Sequence, residues 1–158
     1  MKLSFITLCC ILSFFLSQSL HSQKKEINWL TFEQLDDSLT VKPKKVFIDF
    51  YADWCSYCKK MDKVAFKDAK VIELLNTEYY AVKMNAETTD TIRFEGKKFY
   101  YNQVGKKRRP THQIPLLLAS RKGRSFSLPA IIVLDKDFRI TNRYFEYLHT
   151  KKMLQALD

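Results

Sequence analysis

Val46-Phe47-Ile48-Asp49-Phe50-Tyr51-Ala52-Asp53-Trp54-Cys55-Ser56-Tyr57-Cys58-Lys59 begins as one kind of element and ends as another. Residues 45–52 form a dense apolar run rich in β-branched and aromatic side chains, the pattern of a strand buried on both faces. The run stops at Asp53-Trp54, and residues 56–64 read as a helix. Cys55 and Cys58 therefore stand where a buried strand gives way to a helix. There the first thiol faces unsatisfied backbone N–H groups and the positive end of the helix dipole, and both favour thiolate over thiol. Such a position lowers a cysteine pKa from about 8.5 towards roughly 3.5–7.5. An acidified, accessible Cys55 is the expected nucleophile. Cys58, one turn on and more buried, is the thiol expected to resolve a mixed disulfide.

The other cysteines point the same way. Cys9 and Cys10 lie in residues 1–22, which read as an export signal: Lys2, an apolar run to Leu16, then polar Ser17-Gln18-Ser19 with small residues that suit a signal peptidase. Residues 3–20 are uncharged and just long enough to span a bilayer, so an uncleaved membrane anchor is the alternative. The expected mature domain, residues 23–158, keeps only Cys55 and Cys58. An exported domain stapled by disulfides would carry more cysteines, spread along the chain. Linking two cysteines three positions apart closes a very small loop and stabilises little through chain entropy, which suits a reversible redox couple. A zinc site would need two further ligands, and the mature chain offers only His112 and His149 as imidazoles, in unrelated contexts. No metal is expected, and His112 reads as a surface residue.

Further out, the chain alternates helices and strands. Thr31 and Gln34 suggest a capping box for a helix carrying Phe32, Leu35 and Leu39 that ends before Pro43. Asp68 is placed to cap a helix with Val71, Ile72, Leu74 and Leu75, and residues 79–84 form the next strand. This β-α-β unit predicts a parallel pair. A hairpin is expected around Glu95-Gly96, and a short helix capped by Thr111 with Gly123 near its end. Pro115 fits that helix poorly beyond its first turn. Residues 130–134 and 139–145 read as strands joined by Asp135-Lys136-Asp137, and Thr150 as the cap of a final helix.

The strand and turn quoted above resemble the active site of the thioredoxin family, most closely the C-terminal thioredoxin-like domain of bacterial transmembrane disulfide-interchange proteins. Three separated matches support the resemblance. Asp49 stands where thioredoxins keep a buried acid, Lys83 in Ala81-Val82-Lys83-Met84-Asn85 matches its lysine partner, and Leu128-Pro129-Ala130 matches the cis-proline loop. The resemblance implies a thioredoxin-like α/β fold, a mixed central sheet flanked by helices, with an insertion over residues 93–126 before that loop. It implies dithiol–disulfide exchange on protein substrates, with a redox-relay electron donor and no cofactor beyond the Cys55–Cys58 disulfide. Asp49 would accept a proton from Cys58 and Lys83 would moderate its pKa. Trp54 would cover one side of Cys55. Leu128 would offer its backbone to a substrate strand, and Pro129 would deny the sulfurs a backbone N–H. Ser56-Tyr57 is not the Gly-Pro of ordinary thioredoxins, so a redox potential does not carry over. Reduction is the expected direction. The alternatives are a periplasmic oxidase or isomerase, or a binding module with a vestigial dithiol that docks through its insertion.

Charge sets the insertion apart. After residue 22 the chain has 26 Lys and Arg against 17 Asp and Glu, a net of +9. Residues 93–124 alone hold ten basic side chains and one acid, Glu95, so the remainder is neutral. A solvated loop explains such a segment, and an acidic protein or a membrane surface are its functional partners. Phe94, Phe99, Tyr100 and Tyr101 interleave with the charges as on nucleic-acid surfaces, but expected export argues against nucleic acid. A periplasmic or secreted monomer is expected.

Overall fold

The computed structural model describes residues 26–101 and 110–158. The signal expected over residues 1–22 and the basic run Lys106-Lys107-Arg108-Arg109 lie outside the described residues. Among those described, no helix is long and apolar enough to cross a membrane.

A short strand, β1 (Trp29–Leu30), leads into helix α1 (Phe32–Val41). Both bonds of the capping box form: Gln34 N–H donates to Thr31 Oγ1 (3.2 Å), and Thr31 N–H to Gln34 Oε1 (2.9 Å). Then come β2 (Lys45–Tyr51), α2 (Ser56–Lys63), a 3₁₀ turn (Ala65–Lys67) and α3 (Ala69–Glu78). Asp68 caps α3, its Oδ1 accepting from the N–H groups of Lys70 and Val71. β3 (Tyr79–Asn85) is followed by the hairpin β4 (Ile92–Phe94) and β5 (Lys97–Phe99), then α4 (Gln113–Ala119). β6 (Ala130–Leu134), β7 (Ile140–Tyr144) and α5 (Thr150–Leu157) complete the order.

Five strands make one sheet in the order β1-β3-β2-β6-β7, with β1 and β2 parallel to β3 and the β2–β6 and β6–β7 pairs antiparallel. The sheet is mixed and flanked by helices, as expected. β2 lies at its centre, and its alternation sorts its side chains between two cores. Val46, Ile48 and Phe50 pack with Phe32 and Leu35 of α1 and Ile114 of α4. Phe47 faces the other way, against Met61 of α2, Leu75 of α3 and Met153 of α5. Phe47 and Phe50 are wholly buried, and each such ring stabilises the fold by about 1.5–3 kcal/mol. Asp49 takes the Phe47 side, a carboxyl buried at the edge of that apolar core.

The insertion differs from expectation in its caps. Residue 112, and not Thr111, caps α4: His112 Nδ1 accepts the Ile114 N–H at 3.2 Å. Nor is His112 a surface residue, being 0 % exposed. Its backbone N–H donates to Ala86 O (2.8 Å), which ties the start of α4 to the end of β3. Burial pushes its pKa down and favours the neutral imidazole, against the pull of the Asp90 and Phe99 backbone. Pro115 is the third residue of α4, inside the first turn, where a missing N–H costs nothing. Gly123 (φ 70°) does not end that helix, which stops at Ala119, but serves a later turn between Arg121 and Arg124. Thr150 is the first residue of α5, with His149 at the cap position.

Candidate active site

Residues 52–55 turn the chain from β2 into α2, the Cys55 N–H donating to Ala52 O at 2.9 Å. Cys55 is the N-cap of α2: its Sγ accepts the Cys58 N–H at 3.2 Å, one of the helix's orphan donors. The two sulfurs are joined as a disulfide (S–S 2.02 Å, Cα–Cα 5.3 Å). In this oxidised state Cys55 is 3 % and Cys58 2 % exposed. The Cys55 sulfur is taken up by its partner and by the Cys58 N–H, while flanking Trp54 and Tyr57 carry the exposed surface at 46 % and 60 %. Tyr57 stacks on Tyr147, over which Lys60 Nζ also sits.

Asp49 and Lys83 are cross-strand partners in the β2–β3 register, so their juxtaposition follows from strand pairing. Lys83 Nζ lies 3.7 Å from Asp49 Oδ2, an ion-pair distance too long for a hydrogen bond, and neither Asp49 oxygen has a hydrogen-bond partner among the described residues. Lys83 instead contacts Asp62 of α2 closely. It also sits over the rings of Tyr51, Trp29 and Phe66 at 5.1–5.6 Å. At 1 % exposure Asp49 has lost its hydration without regaining a donor from the described residues. Burial therefore pushes its carboxyl up to about 7; Lys83 opposes the shift and the Asp62 carboxylate adds to it. A group so tuned can both take and release a proton near neutral pH.

Trp54, next to Cys55 in the chain, and Leu128 line one groove of about 170 Å³ with Ala86, Glu87, Phe126 and Ser127. Trp54 Nε1 donates to Glu87 Oε1 at 2.9 Å. The Leu128–Pro129 peptide bond is cis. Arg121 steadies the approach to it: Nη2 donates to Ser127 Oγ at 2.7 Å, and the guanidinium lies 3.8 Å from the centre of the Phe145 ring. Three of these contributors were not anticipated. Asp62 could have been read from its place one helical turn after Cys58. Glu87 and Arg121 carry no sequence signal and reach the site only through the fold.

A family model described as a thioredoxin-like domain matches residues 33–158. The thiol:disulfide interchange protein DsbD of Pseudoalteromonas atlantica is 35 % identical over 65 residues, which are 40 % of this chain and 11 % of that protein. This chain thus spans about a tenth of that relative's length. Among solved structures, a thioredoxin from Thermus thermophilus superposes with a TM-score of 0.56 at 18 % identity, covering 84 % of this chain and 85 % of its own. The structure of DsbH oxidoreductase does so with a TM-score of 0.57 at 16 % identity, covering 90 % and 89 %. At such identities these two likenesses show the fold alone. The chain belongs to the thioredoxin-like family. Within that family, its Cys55–Cys58 couple makes it a protein-disulfide oxidoreductase that works through its own disulfide.

Proposed function

We propose that this protein is an exported reductase of protein disulfides, with Cys55 as nucleophile and Cys58 as resolving thiol. The observation that carries this reading is the Cys55 sulfur at the N-cap of α2 with Asp49 buried on the sheet face that α2 covers. In the reduced protein the Cys55 thiolate attacks a client disulfide, forms a mixed disulfide and releases one client thiolate. Cys58 loses its proton to Asp49 and attacks the Cys55 sulfur, releasing the second client thiolate and leaving Cys55–Cys58 oxidised. A redox-relay donor then returns two electrons to the couple. Lys83 moderates Asp49, Trp54 shields Cys55, and Leu128 with Pro129 presents backbone to the client strand. Basic residues 93–124 select an acidic protein partner or a membrane surface.

The reducing direction has an electrostatic basis. Ser56-Tyr57 adds no cation or imidazole within the active-site turn, and Asp49 disfavours nearby thiolate when ionised, so the reduced form is not specially stabilised. A potential nearer the roughly −270 mV of thioredoxin than the −120 mV of a strong oxidant is expected. Equilibration with a glutathione series, read by alkylation, measures it. A value above about −180 mV moves the assignment to an oxidase or isomerase. For export, support comes from the apolar leader ending in small polar residues. A mature N-terminus near Gln23 is expected on sequencing the exported product, and an intact Met1 overturns cleavage.

A further inference from the structure

An open groove of about 680 Å³ runs between β5 and α4, away from the dithiol loop. Tyr100, Leu116 and Leu117 give it apolar walls, and Lys97 and Lys98 line the strand side. Tyr100 and Leu117 are 48 % and 64 % exposed, so this apolar surface is left uncovered by the rest of the described fold.

Hairpin geometry decides which backbone groups face outwards. Glu95 (φ 49°) and Gly96 (φ 69°) form the two-residue turn that makes Phe94 and Lys97 its hydrogen-bonded closing pair. Arg93 and Lys98 are then a non-hydrogen-bonded pair, with N–H and C=O groups pointing out of the hairpin on either side. On the β4 side the donors are satisfied by α1: Arg93 N–H by Glu33 Oε1 at 3.0 Å and Glu95 N–H by Asp36 Oδ2 at 3.1 Å. On the β5 side Tyr100 N–H donates to Gln113 Oε1 (2.8 Å), and Gln113 N–H to Tyr100 O (3.1 Å). Between these, the outward backbone groups of Lys98 meet no partner among the described residues.

We propose that this groove binds an extended acidic segment of a partner protein, which pairs with β5 at Lys98 and seats an apolar side chain against Tyr100 and Leu117. Backbone pairing supplies the geometry, the apolar wall supplies the burial, and the charge selects the partner. Lys97 and Lys98 flank the groove within a segment of ten basic residues and one acid, so an acidic segment is attracted and a basic one repelled. A bilayer would use the lysines alone and leave the strand edge unanswered. The inference rests on the reading that residues 93–124 govern partner choice, and is independent of the direction of the redox step.

The test is fluorescence anisotropy with a labelled nonapeptide alternating glutamate and valine, its lysine counterpart, and anionic phosphatidylglycerol vesicles. Saturable binding of the glutamate peptide alone is expected. Leu117→Asp should weaken it about tenfold or more, as should Lys98→Pro, which deletes the outward N–H without touching the hairpin's own bonds. Lys98→Gln, which removes only charge, should cost about two- to threefold. Circular dichroism checks that each variant folds. Absence of saturable binding, equal affinity in Leu117→Asp and Lys98→Pro, or binding to vesicles only overturns the proposal. Insulin reduction by the same samples separates the two readings. Reduction without peptide binding overturns the groove alone, and binding without reduction overturns the reductase alone.

Discussion

Cys58→Ala is expected to accumulate mixed disulfides between Cys55 and client proteins, while Cys55→Ser accumulates none and loses disulfide exchange altogether. The asymmetry comes from position. Cys55 is the helix N-cap, and its sulfur accepts the Cys58 N–H at 3.2 Å, so a backbone donor is already aimed at the charge that a thiolate would carry. Cys58 stands one turn inside the helix, where its sulfur reaches Cys55 and, among the described residues, has no such donor of its own. Removing the attacking group leaves only background exchange with the reductant, a loss on the order of 10³-fold or more. Removing the resolving group permits the first attack and blocks the second. Turnover falls comparably, but the protein is now caught on its clients. Non-reducing gels with mass spectrometry of the cross-linked species read both outcomes. Mixed disulfides through residue 58 in Cys55→Ser, or equal trapping by both variants, would reverse the assignment of roles.

The second large effect is expected at Asp49, and it runs in opposite directions for stability and for rate. A carboxyl whose pKa is about 7 in the fold and 3.8 outside it binds more protons folded than unfolded between those values. Stability therefore falls as pH rises from about 4 to 7 and is level above, where the buried carboxylate is charged in full. Asp49→Asn removes that penalty. At pH 8 the variant should be more stable by about 2–4 kcal/mol, the upper figure being three pH units at 1.36 kcal/mol each. The difference should vanish below pH 4, as urea titrations at several pH values would show. Exchange should slow on the order of tenfold or more at pH 7, because Cys58 loses its proton acceptor. A rate and pH profile unchanged by Asp49→Asn would mean that the carboxyl takes no part in the proton transfer.

Asp62 provides an internal control on the same group. It holds Lys83, which otherwise lies only 3.7 Å from Asp49. Asp62→Asn removes a neighbouring negative charge and frees the ammonium for Asp49, and both changes favour the Asp49 carboxylate. The inflection of rate against pH should move to lower pH, and Asp62→Glu should restore it. An unmoved inflection would show Asp62 to be a surface partner of Lys83 with no influence on the buried acid.

Much of this site was legible along the chain because its parts are local. A strand buried on both faces announces itself by six apolar or aromatic residues over positions 46–52, interrupted only by Asp49, and a dithiol at the strand-to-helix junction needs no tertiary contact to be recognised. Capping at Thr31 and Asp68 is likewise a matter of three or four residues. Asp49 and Lys83 lie 34 positions apart, and only the resemblance to known thioredoxins paired them in advance. The physical pairing comes from the β2–β3 register, which depends on the packing of both sheet faces.

What tertiary structure alone decided is the environment of those residues. Composition gave His112 no reason to be buried, since a basic insertion reads as solvated surface. The fold seats it against Ala86, because the first turn of α4 needs an acceptor there. Lys83 was expected to answer Asp49, yet α2 brings Asp62 closer and three rings lie against the ammonium, so among the described residues the buried acid is left without a hydrogen bond. The open backbone edge at Lys98 is likewise a matter of arrival: α1 reaches the donors of the β4 edge and Gln113 reaches Tyr100, while Lys98 between them meets no partner among the described residues. Sequence determines local conformation through steric preference and hydrophobic period. Desolvation and the competition of donors for one acceptor depend on which distant segments arrive, and those are properties of the packed whole.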